Sequence, residues 1–375
     1  IRSTNTYMQP FRRTTQPSPA AVRRPALNFR RIKIENRCGE TMNNATLGLI
    51  WAFSFVILEA AQAVVFAGVF QDYDSFLIGG AVFGFTAAGA LIWAKVRSAE
   101  QLKIAWANRA SLFGLNLSTA LVWIAYFFAL QMIEPAVVFT VFSGLIPIAI
   151  VIASACGVPE ASPLRNRVEG VGLITVVIGV GYLAAITLLG QSGFVRGGWT
   201  AAMVGLLLTC VSAVSLAAMM IYSRRLDRLG IAPVAQYALR FPLYIAVALS
   251  AAWLGLDGKG PVDPSGLLAV VVIGFAIMAF PVFAMQKAIS LMSTLTLAAI
   301  TALGPLFVFL FQIVEGRVAY APATMTGLMI YFAGAVLAAY GGARHSGGKS
   351  IVHKRRDITT KLDREIAKLH TTHLR

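Results

Sequence analysis

Long apolar runs broken by short polar clusters set the pattern of this chain. Ten runs stand out, at about 47–70, 75–95, 109–131, 135–156, 168–189, 199–222, 233–256, 265–288, 293–313 and 321–342. A helix needs roughly 20 apolar residues to cross the hydrocarbon layer of a membrane, and each run has about that many. The breaks between them are rich in Gly, Pro and polar residues, as at 71–75, 158–167, 190–198, 256–265 and 315–322. The runs are continuously apolar rather than alternating, which predicts helices and argues against a β-barrel. The expected fold is an all-α polytopic membrane protein with ten transmembrane helices.

One stretch, Tyr126–Glu160, combines the end of a helix, a very short turn at Glu134-Pro135, and a second helix with Pro147 inside it. A later stretch, Pro281–Arg317, repeats that plan around Pro305. Ala129 precedes Pro147 by 18 residues, and Ala288 precedes Pro305 by 17. A glutamate follows each proline, Glu160 after 13 residues and Glu315 after 10. The two prolines are 158 residues apart, about half of the hydrophobic body, so the pattern reads as an internal duplication. Ten helices divide into five and five, with halves at 42–190 and 191–343. An odd number of spans per half forces the two into opposite orientations. Two inverted five-helix repeats are an architecture of secondary transporters, with the binding site where the repeats meet at the midplane.

Composition agrees with a membrane body. Hydrophobic residues make up 57% and charged ones 13%, against about 25% charged in a soluble domain. The net charge of +16 sits mostly in the tails: residues 1–41 contribute +7, residues 344–375 contribute +6, and the body between them only +3. No folded basic face is evident, so the tails are expected to lie solvated near anionic headgroups, and nucleic acid is not an expected partner. Residues 1–41 are expected to be a disordered basic extension. It reads either as a transit-like segment or as non-native sequence ahead of a start at Met42. Residues 344–375 are expected to be a basic cytoplasmic tail. There Ile358, Leu362, Ile366 and Leu369 lie at helical spacing, which suits either a short amphipathic helix on the leaflet or a solvated tail. In the short loops, ten Lys/Arg follow the even-numbered spans and three follow the odd-numbered ones. That bias puts the first set and both termini in the cytoplasm. The three cysteines, Cys38, Cys156 and Cys210, form neither a disulfide framework nor a metal-binding spacing.

The ten spans, the Ala129/Pro147/Glu160 pattern and its echo at Ala288/Pro305/Glu315 resemble EamA-like transporters of the drug/metabolite transporter superfamily. The likeness covers about residues 45–342. The run Ala238–Phe241 looks like an arginine-bearing segment common in the second helix of that family's repeats. Its counterpart in the first half, Leu77–Phe85, has no arginine. The resemblance implies export or uptake of a small metabolite, often driven by proton exchange, at the inner or plasma membrane.

Ionisable groups inside a span cost a few kcal/mol and are functional candidates by default. Glu59 lies near the middle of the first span and reads as a proton carrier, or as a carboxyl hydrogen-bonded across helices. Gln62, three residues on, shares its face. Arg240 lies about two turns into the seventh span. Its side chain either snorkels to the surface or turns inward to neutralise Glu59 or bind an anion. Gln286 ends the eighth span. Asn116 and Tyr126 run along the third span with Trp123, and they line a cavity or join helices. Pro147 and Pro305 each remove a backbone hydrogen bond and are candidate hinges. Glu134 and Glu315 sit at span ends and read as interfacial.

Catalytic sets are scarce, since all four histidines fall in the C-terminal tail and no HExxH or GxSxG lies in a span. The expected function is a secondary transporter that moves a small metabolite or drug by alternating access, with a proton as candidate coupling ion. A channel or a non-transporting structural membrane protein is the alternative. The expected partners are the small-molecule substrate and the lipid bilayer, in a monomer or homodimer without cofactor or metal.

Overall fold

The computed structural model describes residues 29–260, 263–316 and 318–341. Side chains are described from residue 46 on, apart from four within 294–299. Most of the basic N-terminal extension and the whole C-terminal tail, with its candidate amphipathic helix, lie outside the described residues. The chain falls into two units, 1–43 and 44–375. In the first, residues 29–43 are helical.

The second unit is all-helical, and nine of its described helices are long and apolar enough to cross a membrane. The protein is therefore a polytopic helical membrane protein. α1 spans Phe29–Asp72, with its apolar part at Thr46–Asp72. α2 (Ser75–Arg97), a short α3 (Ala99–Ala107), α4 (Arg109–Met132), α5 (Pro135–Ala155) and α6 (Arg167–Leu188) follow. Next come α7 (Gly198–Arg228), then α8 (Pro233–Leu239) and α9 (Pro242–Trp253), which share one span. α10 (Pro264–Gly274) and α11 (Phe280–Leu291) share another, joined by a π turn at Phe275–Ala279. The π turn lies just before Pro281, whose ring removes a donor and crowds the preceding carbonyls. α12 (Thr294–Thr301), α13 (Gly304–Glu315) and α14 (Pro322–Gly341) complete the bundle.

The run at 293–313, expected as one span, is thus two short helices. Pro305 is at the second position of α13, in the first turn, where a missing N–H costs nothing. Pro147, by contrast, lies inside an unbroken α5. The turn at Glu134-Pro135 forms as expected, again with proline at a helix start.

Outward faces carry large apolar side chains, such as Phe85, Ile174 and Val214, each more than half exposed. In water that surface would be a liability; in lipid it is the ordinary boundary. Inside, α4 packs along α7, α2 packs on α8 and α9, and α5 touches α12 and α13. α6 and α14 approach closely. A Cβ at Gly179 would lie 2.7 Å from the backbone nitrogen of Tyr331, and one at Gly334 would lie 2.6 Å from that of Val176. Small residues let membrane helices pack backbone to backbone in this way.

Candidate functional site

Glu59 sits on the buried face of α1, 4% exposed, and its Oε2 has no hydrogen-bond partner. It lines a cavity of about 10 Å³ walled by Phe55, Trp123, Tyr126, Phe142, Met219 and Arg240. That is room for about one water. Tyr126 is also buried, with its hydroxyl unpartnered. A buried carboxyl among aromatic rings is costly unless it is protonated or paired.

Arg240 reaches the same cavity from a helix break. Pro242 has no N–H, so the span cannot run on through Arg240-Phe241, and α8 ends at Leu239. Asn116 of α4 inserts its amide there. Its Nδ2 donates to Leu239 O at 2.7 Å and to Leu112 O at 3.0 Å, and its Oδ1 accepts from Leu243 N at 3.3 Å. One side chain thus bridges the donor and acceptor that an unbroken helix would pair.

The Arg240 side chain is fully buried and does not snorkel. Its Nη1 donates to Gln286 Oε1 at 3.2 Å, and its Nε lies 3.5 Å from Thr119 Oγ1. Its other terminal nitrogen contacts Met219 Sδ, and the guanidinium lies 5.5 Å from the Phe241 ring centre. Gln286 in turn donates to Gln236 Oε1 at 2.6 Å, and Gln236 donates to Ile231 O at 2.8 Å. The guanidinium is therefore held by neutral groups. Among the described residues no ion pair joins Arg240 to Glu59 or to any other carboxylate.

The structure therefore brings Glu59, Tyr126 and Arg240 to one cavity, with Gln286 behind Arg240 and Asn116 at the helix break beside it. Gln62 is fully buried on α1, and neither its Oε1 nor its Nε2 has a partner. Pro147 and Pro305 lie on α5 and α13, which touch each other.

Two further carboxylates organise the ends of the bundle: Glu134, read from the sequence as interfacial, and Glu160, read as the glutamate that follows Pro147. Glu134 at the α4–α5 turn is 1% exposed rather than interfacial. Its Oε1 accepts from Gln312 Nε2 at 3.0 Å, and its Oε2 accepts from Gly193 N at 2.8 Å and Thr324 Oγ1 at 2.9 Å. A side chain at Gly193 would collide with the Ala319 carbonyl, so only glycine fits there. The same turn pairs with the 190s loop through Ile133 and Val195, and Arg196 N donates to Met132 O at 2.8 Å. At the opposite end of α5, Glu160 pairs with Arg225 at 3.0 Å and Arg228 at 3.6 Å. The Arg225 hydrogen bond holds the Glu160 carboxyl below its ordinary range. The signal for Glu134 was its place beside Pro135 at a turn too short to be solvated.

No family model and no curated protein matches the chain. Among solved structures, 23 chains match. One, described only as "Crystal structure of protein", superposes with a TM-score of 0.56 at 20% identity, over 79% of this chain and 98% of that one. At that identity the likeness shows a shared fold and nothing more.

Proposed function

We propose that the chain is a secondary transporter that moves a small metabolite or drug by alternating access, with proton coupling through Glu59. The observation that carries this reading is one carboxyl and one guanidinium buried on the wall of the same cavity without pairing to each other. Unpaired opposite charges in a membrane core are costly and are typical of ion and substrate pathways. A proton, an ionic substrate, or both can offset them in turn.

The repeat architecture supports the same reading. If α12 and α13 are counted as one broken span, the bundle has ten spans in two halves, α1–α6 and α7–α14. α5 and α13, which carry Pro147 and Pro305, touch. The last helices of the halves, α6 and α14, cross through glycine. On the inverted-repeat reading, both contacts join equivalent parts of the two halves. Membership of the EamA-like family, an inner or plasma membrane location and cytoplasmic termini are part of this proposal. They rest on the sequence pattern and on the Lys/Arg bias of the loops. In the state described, the cavity holds about one water, so a substrate enters only when one end of the bundle parts.

The test is flux in proteoliposomes that carry a trapped pH-sensitive dye, with wild-type and Glu59→Gln protein presented with a metabolite panel. Proton flux that appears with one substrate class and vanishes in Glu59→Gln supports the proposal. Substrate-driven proton flux unchanged in the variant moves the coupling site away from α1. No substrate-dependent flux for any compound, together with steady ion conductance, replaces the transporter by a channel.

A further inference from the structure

A second cavity, of about 320 Å³, lies at the end of the bundle where α4 turns into α5. It is separate from the Glu59 cavity, and its volume is in the range of small-molecule sites. Glu134, Gln312, Phe309 and Tyr320 contribute to its walls.

Among the described residues, the Glu134 carboxylate and Gln312 Oε1 are acceptors, and the Tyr320 hydroxyl can donate or accept. Glu134 is almost fully buried and has no ion-pair partner among the described residues. Its three hydrogen bonds come from neutral donors: Gly193 N, Gln312 Nε2 and Thr324 Oγ1. They orient the carboxylate without cancelling its charge. Because Gln312 uses its amide nitrogen on Glu134, its Oε1 is left as a buried acceptor with no partner. An unpaired buried acceptor is costly and is satisfied by an incoming donor. Phe309 and Tyr320 add aromatic rings, whose faces attract cations. Among the described residues no group of three or more His, Cys, Asp or Glu is placed to hold a metal ion. The complementary ligand is an organic cation that brings its own N–H donors.

We propose that this cavity binds small primary ammonium compounds, with the ammonium between the Glu134 carboxylate and Gln312 Oε1 and the alkyl part against Phe309 and Tyr320. The site lies outside the Glu59 cavity, so the proposal does not depend on transport.

The experiment is titration calorimetry on the full chain in lipid nanodiscs, with n-butylammonium as probe and 1-butanol as the neutral compound of matching length. Saturable binding of n-butylammonium, with none for 1-butanol, is expected. Glu134→Gln is expected to weaken it about tenfold or more, because the charge-assisted hydrogen bond is lost. Tyr320 is 65% exposed, and Tyr320→Leu leaves the Glu134 hydrogen bonds intact while weakening binding about threefold. Glu59→Gln is expected to leave it unchanged. Equal binding of the two probes overturns the proposal, as does unchanged affinity in a folded Glu134→Gln protein. If Glu134→Gln does not fold, the Phe309→Leu/Tyr320→Leu double variant decides, and unchanged affinity there overturns the proposal. Loss of binding in Glu59→Gln assigns the cation to the other cavity and also overturns it.

Discussion

Asn116 supplies what the backbone of the α8–α9 span cannot. With the span interrupted, Leu239 O and Leu243 N would be left in an apolar interior, and the Asn116 amide satisfies both. Each such group left bare costs about 1–3 kcal/mol. Asn116→Leu is therefore expected to lower the melting temperature of the detergent-solubilised protein and to loosen the seat of Arg240. A melting temperature equal to wild type would mean that water or a neighbour replaces the amide. Glu59 and Arg240 were legible as candidates because a charge inside an apolar run is visible in a single sequence. Asn116 was legible only as a polar group needing a partner. Its partners are main-chain atoms 123 and 127 residues away, and no residue pattern marks them. Glu134 was misread for a related reason. Its burial depends on the 190s loop and α13 folding over it, which is a tertiary event.

At the scale of elements, glycine spacing sets one contact. Gly172 and Gly179 on α6 are seven residues apart, and so are Gly327, Gly334 and Gly341 on α14. A seven-residue step returns to nearly the same face of a helix, so each set forms a groove for the other helix. Gly334→Leu is expected to push α14 from α6 and destabilise the bundle by about 1–3 kcal/mol, read as a lower melting temperature. The same change at Gly84, whose Cβ would meet nothing within 4 Å, is expected to cost little. The positions of the helices were largely legible, because a span announces itself by length and apolarity. The state of the ninth run was not. Pro147 and Pro305 look alike in sequence, yet Pro305 starts a helix and Pro147 lies within one. Gly304 distinguishes them: it sits directly under the Phe139 ring with no room for a side chain, and it is a poor helix former beside the break.

For the whole molecule, Glu134 just before α5 and Glu160 in the loop after it tie elements together at the two ends of the bundle. The Glu160 carboxyl is held below its ordinary range, first by the hydrogen bond from Arg225. A folded value below the unfolded one contributes stability that is full above the ordinary carboxylate range and lost as pH falls through the folded value. The Glu160–Arg225 tie therefore weakens on acidification. Glu160→Gln is expected to flatten the fall of melting temperature with acid pH, and a variant that melts in parallel with wild type at every pH would contradict this. Glu134 ties the other end through neutral donors. On the proposed transport reading, these ends open in turn about the Glu59–Arg240 cavity.

Spin-label distances across both ends measure that directly. Labels replace Trp199 and Val314 at the Glu134 end, or Trp106 and Leu164 at the Glu160 end, all well exposed, in protein freed of native cysteines. Distributions are compared between wild type and Glu59→Gln, which mimics the protonated carboxyl. Alternating access predicts two populations at each end, shifted in opposite directions by the substitution: one end opens as the other closes. Distributions that ignore the substitution, or two ends that open together, would contradict it.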